Sequence, residues 1–222
     1  MLPSSTVLPE GRWNVYAECS DGSRLRAVAG VCDTRQAVGM ELGSVTGPVA
    51  RRLPYETADR FLGVRTWLRH DHAEIDQVQP VEGILHLRGR LAAANGTDFA
   101  GDLRLVARSR LDGGPELVMD PVPPSGPGRF DLMLDLDALA AQRVTRHDDW
   151  DLYVEGVSSG VRARVARLGD DIADRKSVFH YPFTRCDVET DPLMSEISPA
   201  PTVQVRPYIT VDSDLSLFVR ER

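Results

Sequence analysis

The sequence predicts an all-β protein, an antiparallel β-sandwich of the Ig-like or fibronectin-like kind, on two observations. Apolar and polar residues alternate with a period of two in several runs, which are ILHLRGRLA, DLRLVARSR, GRFDLMLDLDAL, WDLYVEG and DLSLFVRER. This period gives a strand one buried face and one solvent-facing side. Turn signals separate these runs, and helical patterns are few. Short strands spaced by turns are typical of a sandwich or barrel.

The elements follow from the same pattern in chain order. GRWNVYAECSDGSRLRAV predicts a strand, a turn and a second strand, and LPYET and FLGVRTWLRHD predict the next two strands. ILHLRGRLA, DLRLVARSR and GRFDLMLDLDAL predict three more, and LDALAAQRV has room for one or two helical turns. A second hairpin is predicted in DDWDLYVEGVSSGVRARV, and the strands of RPYIT and DLSLFVRER end the chain.

Three matched blocks indicate an internal repeat. The blocks occur in the same order in both halves of the chain, and the matched residues are Trp13 with Trp150, Tyr16 with Tyr153, Gly22 with Gly160, Arg24 with Arg162, Arg26 with Arg164, Pro54 with Pro207, Tyr55 with Tyr208, and Thr57 with Thr210. The strands predicted over residues 81–137 have no counterpart before the first block. The sequence therefore predicts a partial sandwich unit over residues 1–78 and a complete sandwich domain over residues 79–222.

A partial sandwich exposes an apolar sheet face that needs a cover. The simplest covers are the complete domain or a second copy of the chain, so a homodimer is one expectation. The repeated Trp and Tyr residues are interpreted first as packing residues of the two units.

Composition excludes several classes of protein. The 222 residues are 42% hydrophobic and 27% charged, as in an ordinary globular chain. No apolar run approaches the roughly 20 residues of a membrane helix, and the first residues lack the pattern of a secretory signal, so we expect no membrane span and a cytoplasmic location. The formal net charge of −7 argues against nucleic acid as the main partner.

No cofactor is predicted. Cys19, Cys32 and Cys186 form no CxxC pair and fit no zinc spacing, so they are expected to be free and mostly buried thiols. A Gly-rich phosphate loop and strand–helix alternation are missing from the sequence, and no G-x-S-x-G motif occurs.

The order LHLRGRL, LRLVARSR, GRFDLMLDLDALA, WDLYVEG, VRARVARL and VRPYITVDSDLSLFV resembles the β-sandwich modules attached to actinobacterial glycosyltransferases and to transferases of the CDP-glycerol glycerophosphotransferase type. The resemblance covers residues 81–222 well and residues 10–69 in part. It implies an accessory, non-catalytic role beside a partner transferase. The catalytic residues of such transferases find no matching positions here.

An aromatic cluster is the first candidate site. Phe179, His180 and Tyr181 lie in the longer insertion of the second repeat, in SVFHYPFTRC. Such rings suit a pocket for a sugar or a polyketide-like substrate, since they offer apolar area with polar edges. The alternative is that they plug the sandwich or cover the partial unit.

The histidines give weaker candidates. His147 precedes two aspartates and suits a general base, with a solvated loop as the alternative. His180 is the other candidate for a catalytic residue. His70 and His72 would share one face of a strand and are weak candidates for metal ligands, with a charged linker as the alternative.

Four repeated arginines complete the candidates. Arg24, Arg26, Arg162 and Arg164 alternate along the hairpin strands and suit a clamp for phosphate or carboxylate. Outward-facing arginines that discourage edge association are the alternative.

Two functions follow from these observations. The first is a non-catalytic binding or assembly protein, with a small molecule or glycan-like ligand. The alternative is an enzyme of specialised metabolism, a cyclase or isomerase, that uses an apolar pocket between the β units. The sequence leaves open whether the protein is an enzyme.

Overall fold

The computed structural model describes residues 8–38, 48–93, 99–188 and 202–222. In these residues the chain forms fifteen strands and one α-helix, which confirms the all-β prediction. The strands are β1 (Gly11–Asn14), β2 (Tyr16–Glu18), β3 (Arg24–Arg26), β4 (Val49–Glu56), β5 (Leu62–Arg69), β6 (Asp71–Val81), β7 (Ile84–Ala93), β8 (Leu103–Ser109), β9 (Glu116–Val118), β10 (Arg129–Asp135), β11 (His147–Gly156), β12 (Arg162–Ala166), β13 (Thr184–Cys186), β14 (Val203–Ile209) and β15 (Leu215–Glu221). Helix α1 is Leu136–Ala141, and short 3₁₀ turns occur at Arg35–Ala37 and Arg175–Ser177.

The main body is a ten-stranded sheet folded into a sandwich. Its strands follow the order β10-β7-β6-β12-β11-β15-β14-β13, and β8 pairs with the other edge of β11 and with β9. All pairs are antiparallel except β6 with β12. Strand β12 joins the two layers, because it pairs with β6 in one and with the end of β11 in the other.

The sandwich core contains the inward residues of both layers. Trp150, Leu152 and Val154 of β11 are fully buried, and Leu85 and Leu87 of β7 are buried from the other layer. The same period of two that predicted these strands therefore selects the core.

Helix α1 closes one end of the sandwich. The side chain of Asp135 accepts hydrogen bonds from the backbone N–H groups of Asp137 and Ala138, which caps the first turn. Leu136 and Leu139 are fully buried against the core. In the described part of the chain, no helix has the length and hydropathy needed to cross a membrane.

The preceding residues form a smaller unit of two sheets, one in the order β1-β5-β4 and the hairpin β2-β3. The predicted boundary after residue 78 lies inside β6, which pairs with β7 and β12 of the main sandwich. Residues 71–76, for which a linker was the favoured alternative, are the first half of this strand. The division into two domains stays a prediction.

The matched sequence blocks make matching strand pairs. Trp13 pairs with Val64 as Trp150 pairs with Leu217. Tyr16 pairs with Arg26, and Tyr153 with Arg164, in the two short hairpins that follow. The internal duplication stays a prediction, and this common register supports it.

The small unit contacts the main sandwich with the outer side of its three-stranded sheet. Leu53 and Trp67 are each 1% exposed and form a cluster with Leu168 of the main sandwich. Trp13 lies beside Val64, whose side chain points to the opposite face from that of Trp67. The repeat predicts that the main sandwich covers the face of this sheet that carries Trp13. The main sandwich covers instead the opposite face, which carries Trp67.

Candidate functional site

The predicted aromatic cluster lies on the side of the main sandwich. Phe179 and Tyr181 are half-buried and pack against the core, and burial raises the pKa of Tyr181. The guanidinium of Arg167 lies 4.5 Å from the centre of the Phe179 ring. His180 is exposed, and its Nε2 donates to the Ser177 carbonyl at 3.0 Å. The two larger rings thus cover the core, and a pocket at these residues stays a prediction.

The candidate histidines do not come together. His147 is exposed at the start of β11, and its ring stacks on Phe218 with 5.9 Å between the ring centres. Its neighbour Asp148 is buried and accepts hydrogen bonds from the backbone N–H groups of Val144 and Thr145, so this carboxylate fixes the preceding loop.

His70 and His72 also differ in their surroundings. His70 is exposed in the bend between β5 and β6, and His72 is fully buried in β6. Within the described ranges no group of three or more His, Cys, Asp or Glu side chains could hold a metal ion. Burial raises the pKa of the Cys186 thiol to about 12, so this buried cysteine is a poor nucleophile.

The repeated arginines pair with neighbours on their own hairpins. Arg24 contacts Glu18 at 3.2 Å, and the matched Arg162 contacts Glu155 in the second hairpin. Arg162 also meets Glu116 at 2.8 Å, and the hydrogen bonds that Arg162 donates to these two carboxylates raise its pKa.

The inner pair repeats as well. Arg26 donates to Asn14 Oδ1 at 2.7 Å, and Arg164 donates to Asp151 Oδ1 at 2.6 Å. These contacts engage guanidinium groups that the phosphate-clamp prediction requires.

A buried polar cluster links β6 to the loop that contains Leu168, and this loop contacts the small unit. Glu74 is 2% exposed, and its carboxylate accepts hydrogen bonds from the N–H groups of Leu168 (2.8 Å) and Gly169 (2.7 Å). His72 Nε2 lies 2.8 Å from the same carboxylate. Arg51 of β4 donates to the Leu168 carbonyl at 3.2 Å, so this loop binds both units.

Arg175 completes this cluster. It is 1% exposed, pairs with Asp170 at 2.8 Å, and lies 4.7 Å from the ring centre of Trp67 in β5. Burial lowers the pKa of Arg175, which the Asp170 carboxylate partly opposes. These groups are buried together where the two units meet.

A second cluster lies on the open outer face of β11, β13, β14 and β15. We call it the cationic aromatic face, and it consists of Arg185, Arg206, Arg220, Arg222, Gln204, His147, Phe183 and Phe218. The guanidinium groups of Arg206 and Arg220 lie 4.6 and 3.6 Å from the centre of the Phe183 ring. Phe183 meets Phe218 edge to face at 6.4 Å.

None of the arginines of this face makes an ion pair with any described carboxylate, whereas Arg24, Arg162 and Arg164 of the hairpins do. Arg220 donates instead to the neutral Gln204 side chain at 2.8 and 3.0 Å. Desolvation lowers the pKa of Arg220, and the nearby charges of Arg222 and Arg206 lower it further.

The sequence alone does not mark these arginines as a group. They lie in three separate segments, TRC, VRPYIT and FVRER, and no single segment is strongly basic. The available signal was alternation: Arg206 with Tyr208, and Phe218 with Arg220, occupy the outward positions of the last two strands.

No protein-family model matches the chain, and no curated protein gives a significant match. Among solved structures, the chain is similar to the 217–571 fragment of S. aureus TarS, with 16% identity, a TM-score of 0.43, and 68% of this chain and 38% of that chain covered. A second S. aureus TarS structure has 17% identity and a TM-score of 0.42, with 82% and 29% covered. The chain therefore spans well under half the length of either TarS chain.

Proposed function

We propose that this protein is a non-catalytic β-sandwich module of the glycosyltransferase-associated kind, which binds a glycan-like ligand. The cationic aromatic face is its binding surface. The observation that supports this most is the position of the Arg206 and Arg220 guanidinium groups, which lie 4.6 and 3.6 Å from the centre of the Phe183 ring. The enzyme alternative requires an apolar pocket between the β units, where Trp67, Leu53 and Leu168 are buried against each other.

The binding surface has the chemistry that carbohydrate ligands use. Aromatic rings offer apolar area to a sugar ring, and guanidinium groups donate several hydrogen bonds in a fixed plane. Phe183, Phe218 and His147 supply the rings, and Arg206 and Arg220 supply the donors.

The proposal is tested by measuring binding of the full chain to a panel of immobilised neutral and acidic oligosaccharides. Phe183→Ala is expected to weaken retention at least tenfold. Phe61→Ala is the matched control, since this ring of the small unit also carries a guanidinium, that of Arg26 at 4.5 Å. The control should bind like the unchanged protein.

Mass spectrometry of the recovered oligosaccharides tests the non-catalytic part of the proposal. A bound ligand that is recovered unchanged supports a binding module. Chemical conversion of the ligand, or retention of no oligosaccharide at all, would overturn the proposed function.

A further inference from the structure

We infer that the cationic aromatic face binds phosphate groups, and that its ligand carries at least two of them. The inference rests on the proposed binding role of this face and names the chemical class of its ligand. It starts from an imbalance of charge: the chain has a formal net charge of −7, yet four arginines share one face without a described carboxylate partner.

On the same side of the sheet, other arginines have their charge neutralised by carboxylates. Towards the other end of β11, Asp151 accepts from Arg164 at 2.6 Å and from Arg110 at 2.7 Å, and the Tyr208 hydroxyl donates to Asp149 at 2.7 Å. Each guanidinium there has an acidic partner. Among the described residues, the positive charge on this side of the sheet is uncompensated only at the end that carries Arg206 and Arg220.

Arg206 and Arg220 are held in place without having their charge cancelled. Both guanidinium groups lie over the Phe183 ring, within 4.6 Å of its centre, so the two like charges are close neighbours. A ring contact of this kind supports the guanidinium plane and leaves N–H groups at its edge available. Because the groups are already positioned, little side-chain entropy is lost when an anion binds.

The chemistry of these groups favours phosphate. Guanidinium N–H pairs match two oxygens of a phosphate group in a bidentate contact, which is stronger than a contact between neutral groups. A bound anion would also relieve the repulsion between Arg206, Arg220 and Arg222. The Nε of Arg206 is buried and has no hydrogen-bond partner within the described structure, so this side chain is incompletely satisfied.

The spacing of the arginines indicates more than one phosphate. Arg185 lies opposite Gln204 in β14, and Gln204 lies opposite Arg220 in β15, so the positive groups extend over three adjacent strands. Neighbouring strands are about 4.8 Å apart, which gives a width of about 10 Å. One phosphate group does not reach across this width, and two linked phosphate groups do.

Inorganic tripolyphosphate is the probe for the first experiment, with the full chain in a calorimeter at about 50 and 200 mM salt. We expect binding that weakens markedly at the higher salt concentration. Arg206→Gln and Arg220→Gln should each reduce affinity at least tenfold. Arg88→Gln is the matched control, because Arg88 is an exposed strand arginine paired with Asp131, and its affinity should change less than twofold.

The melting temperature of each variant is measured beside its affinity and shows whether the variant is folded. Failure of the unchanged protein to bind tripolyphosphate, or an equal loss in Arg88→Gln, overturns the inference. Equal affinity for citrate also overturns it, because the face would then bind any multivalent anion.

A phosphorylated oligosaccharide and its dephosphorylated form separate the inference from the proposed function. Tighter binding of the phosphorylated form supports both. Equal binding of the two forms leaves the glycan-binding role intact and overturns the inference. Binding of tripolyphosphate with no binding of either oligosaccharide supports the phosphate site and overturns the glycan ligand.

Discussion

The two β units share their hairpins and differ in what covers them. Trp13 and Trp150 occupy the same register against the strand that follows, yet Trp13 is 37% exposed and Trp150 is fully buried. Leu25 is 63% exposed, whereas Ala163 of the matching hairpin is fully buried. The difference arises because β6, β7 and β10 lie across from β11, and the small unit has no described strands in that position. Strand pairing and burial are thus separable properties.

The turns between the last two strands of the two units share their main hydrogen bonds. The N–H of Thr57 donates to the Phe61 carbonyl at 2.9 Å, and the N–H of Thr210 donates to the Asp214 carbonyl at 2.8 Å. Each threonine hydroxyl also accepts from the N–H four residues later, at 3.1 Å in both turns. Local sequence alone specifies this turn, since the surroundings of the two copies differ.

The outer faces of the two units, by contrast, differ in burial although their strands pair in the same register. Arg51 lies opposite Trp67 in the small unit, as Gln204 lies opposite Arg220 in the main sandwich. The first pair is buried against Leu168 and its neighbours, and the second lies on the open cationic aromatic face. Matching positions of the two units are therefore buried in one unit and more exposed in the other.

Replacing the repeated tryptophans should give the largest contrast. Trp150→Ala is expected to lower the free energy of unfolding by about 3–5 kcal/mol, because it empties a buried site. Trp13→Ala should cost about 1 kcal/mol, mainly from its hydrogen bond to Thr66 Oγ1. Urea denaturation measures both. If Trp150→Ala does not fold, Trp150→Phe provides the value; equal losses at the two positions would refute the comparison.

Glu74 lies in the main sandwich only. Replacing it tests the contact between the main sandwich and the small unit. Glu74→Gln should cost about 2–3 kcal/mol, because one amide oxygen cannot replace the two carboxylate oxygens that accept from Leu168 and Gly169. Asp76→Asn on the same strand is the control. Its carboxylate forms an exposed pair with Arg90, so its loss should stay below about 1 kcal/mol. Similar losses in thermal or urea unfolding would contradict the structural role of Glu74.

The repeated turns should give the smallest difference. Arg60 and Ser213 occupy the same position with φ of 64° and 71°, a region that favours glycine. Arg60→Gly is expected to raise the free energy of unfolding by about 0.5–1 kcal/mol. Ser213→Gly should gain less, because it also removes the hydroxyl that accepts from Arg175 at 3.1 Å. A larger gain in the free energy of unfolding for Ser213→Gly than for Arg60→Gly would contradict this comparison.

Sequence reasoning reached the fold because its evidence is local. The alternation in β7, β10 and β11 marks the buried residues correctly, since a strand has only two faces. The interpretation of residues 71–76 as a linker, which rested on their charged residues, was wrong. There His72 and Glu74 are buried because Leu168 and Gly169, almost a hundred residues later, supply hydrogen-bond partners.

The candidate site was less accessible to sequence reasoning for the same reason. The predicted arginines of the hairpins were visible as a repeated pattern, and the structure gives them partners such as Glu155 and Asp151. Arg206 and Arg220 stood alone in the sequence. The antiparallel pairing of β14 with β15, and the position of Phe183 beside them, bring them together.

The sequence by itself determined the strands, their inward faces, and the matching hairpins and turns of the two units, because periodicity and turn chemistry act over a few residues. The tertiary structure decided which copy of a repeated residue is buried and which arginines lack an acidic partner. Burial and charge pairing depend on neighbours that come from distant parts of the chain, and for Trp13 and Trp150 those neighbours are different.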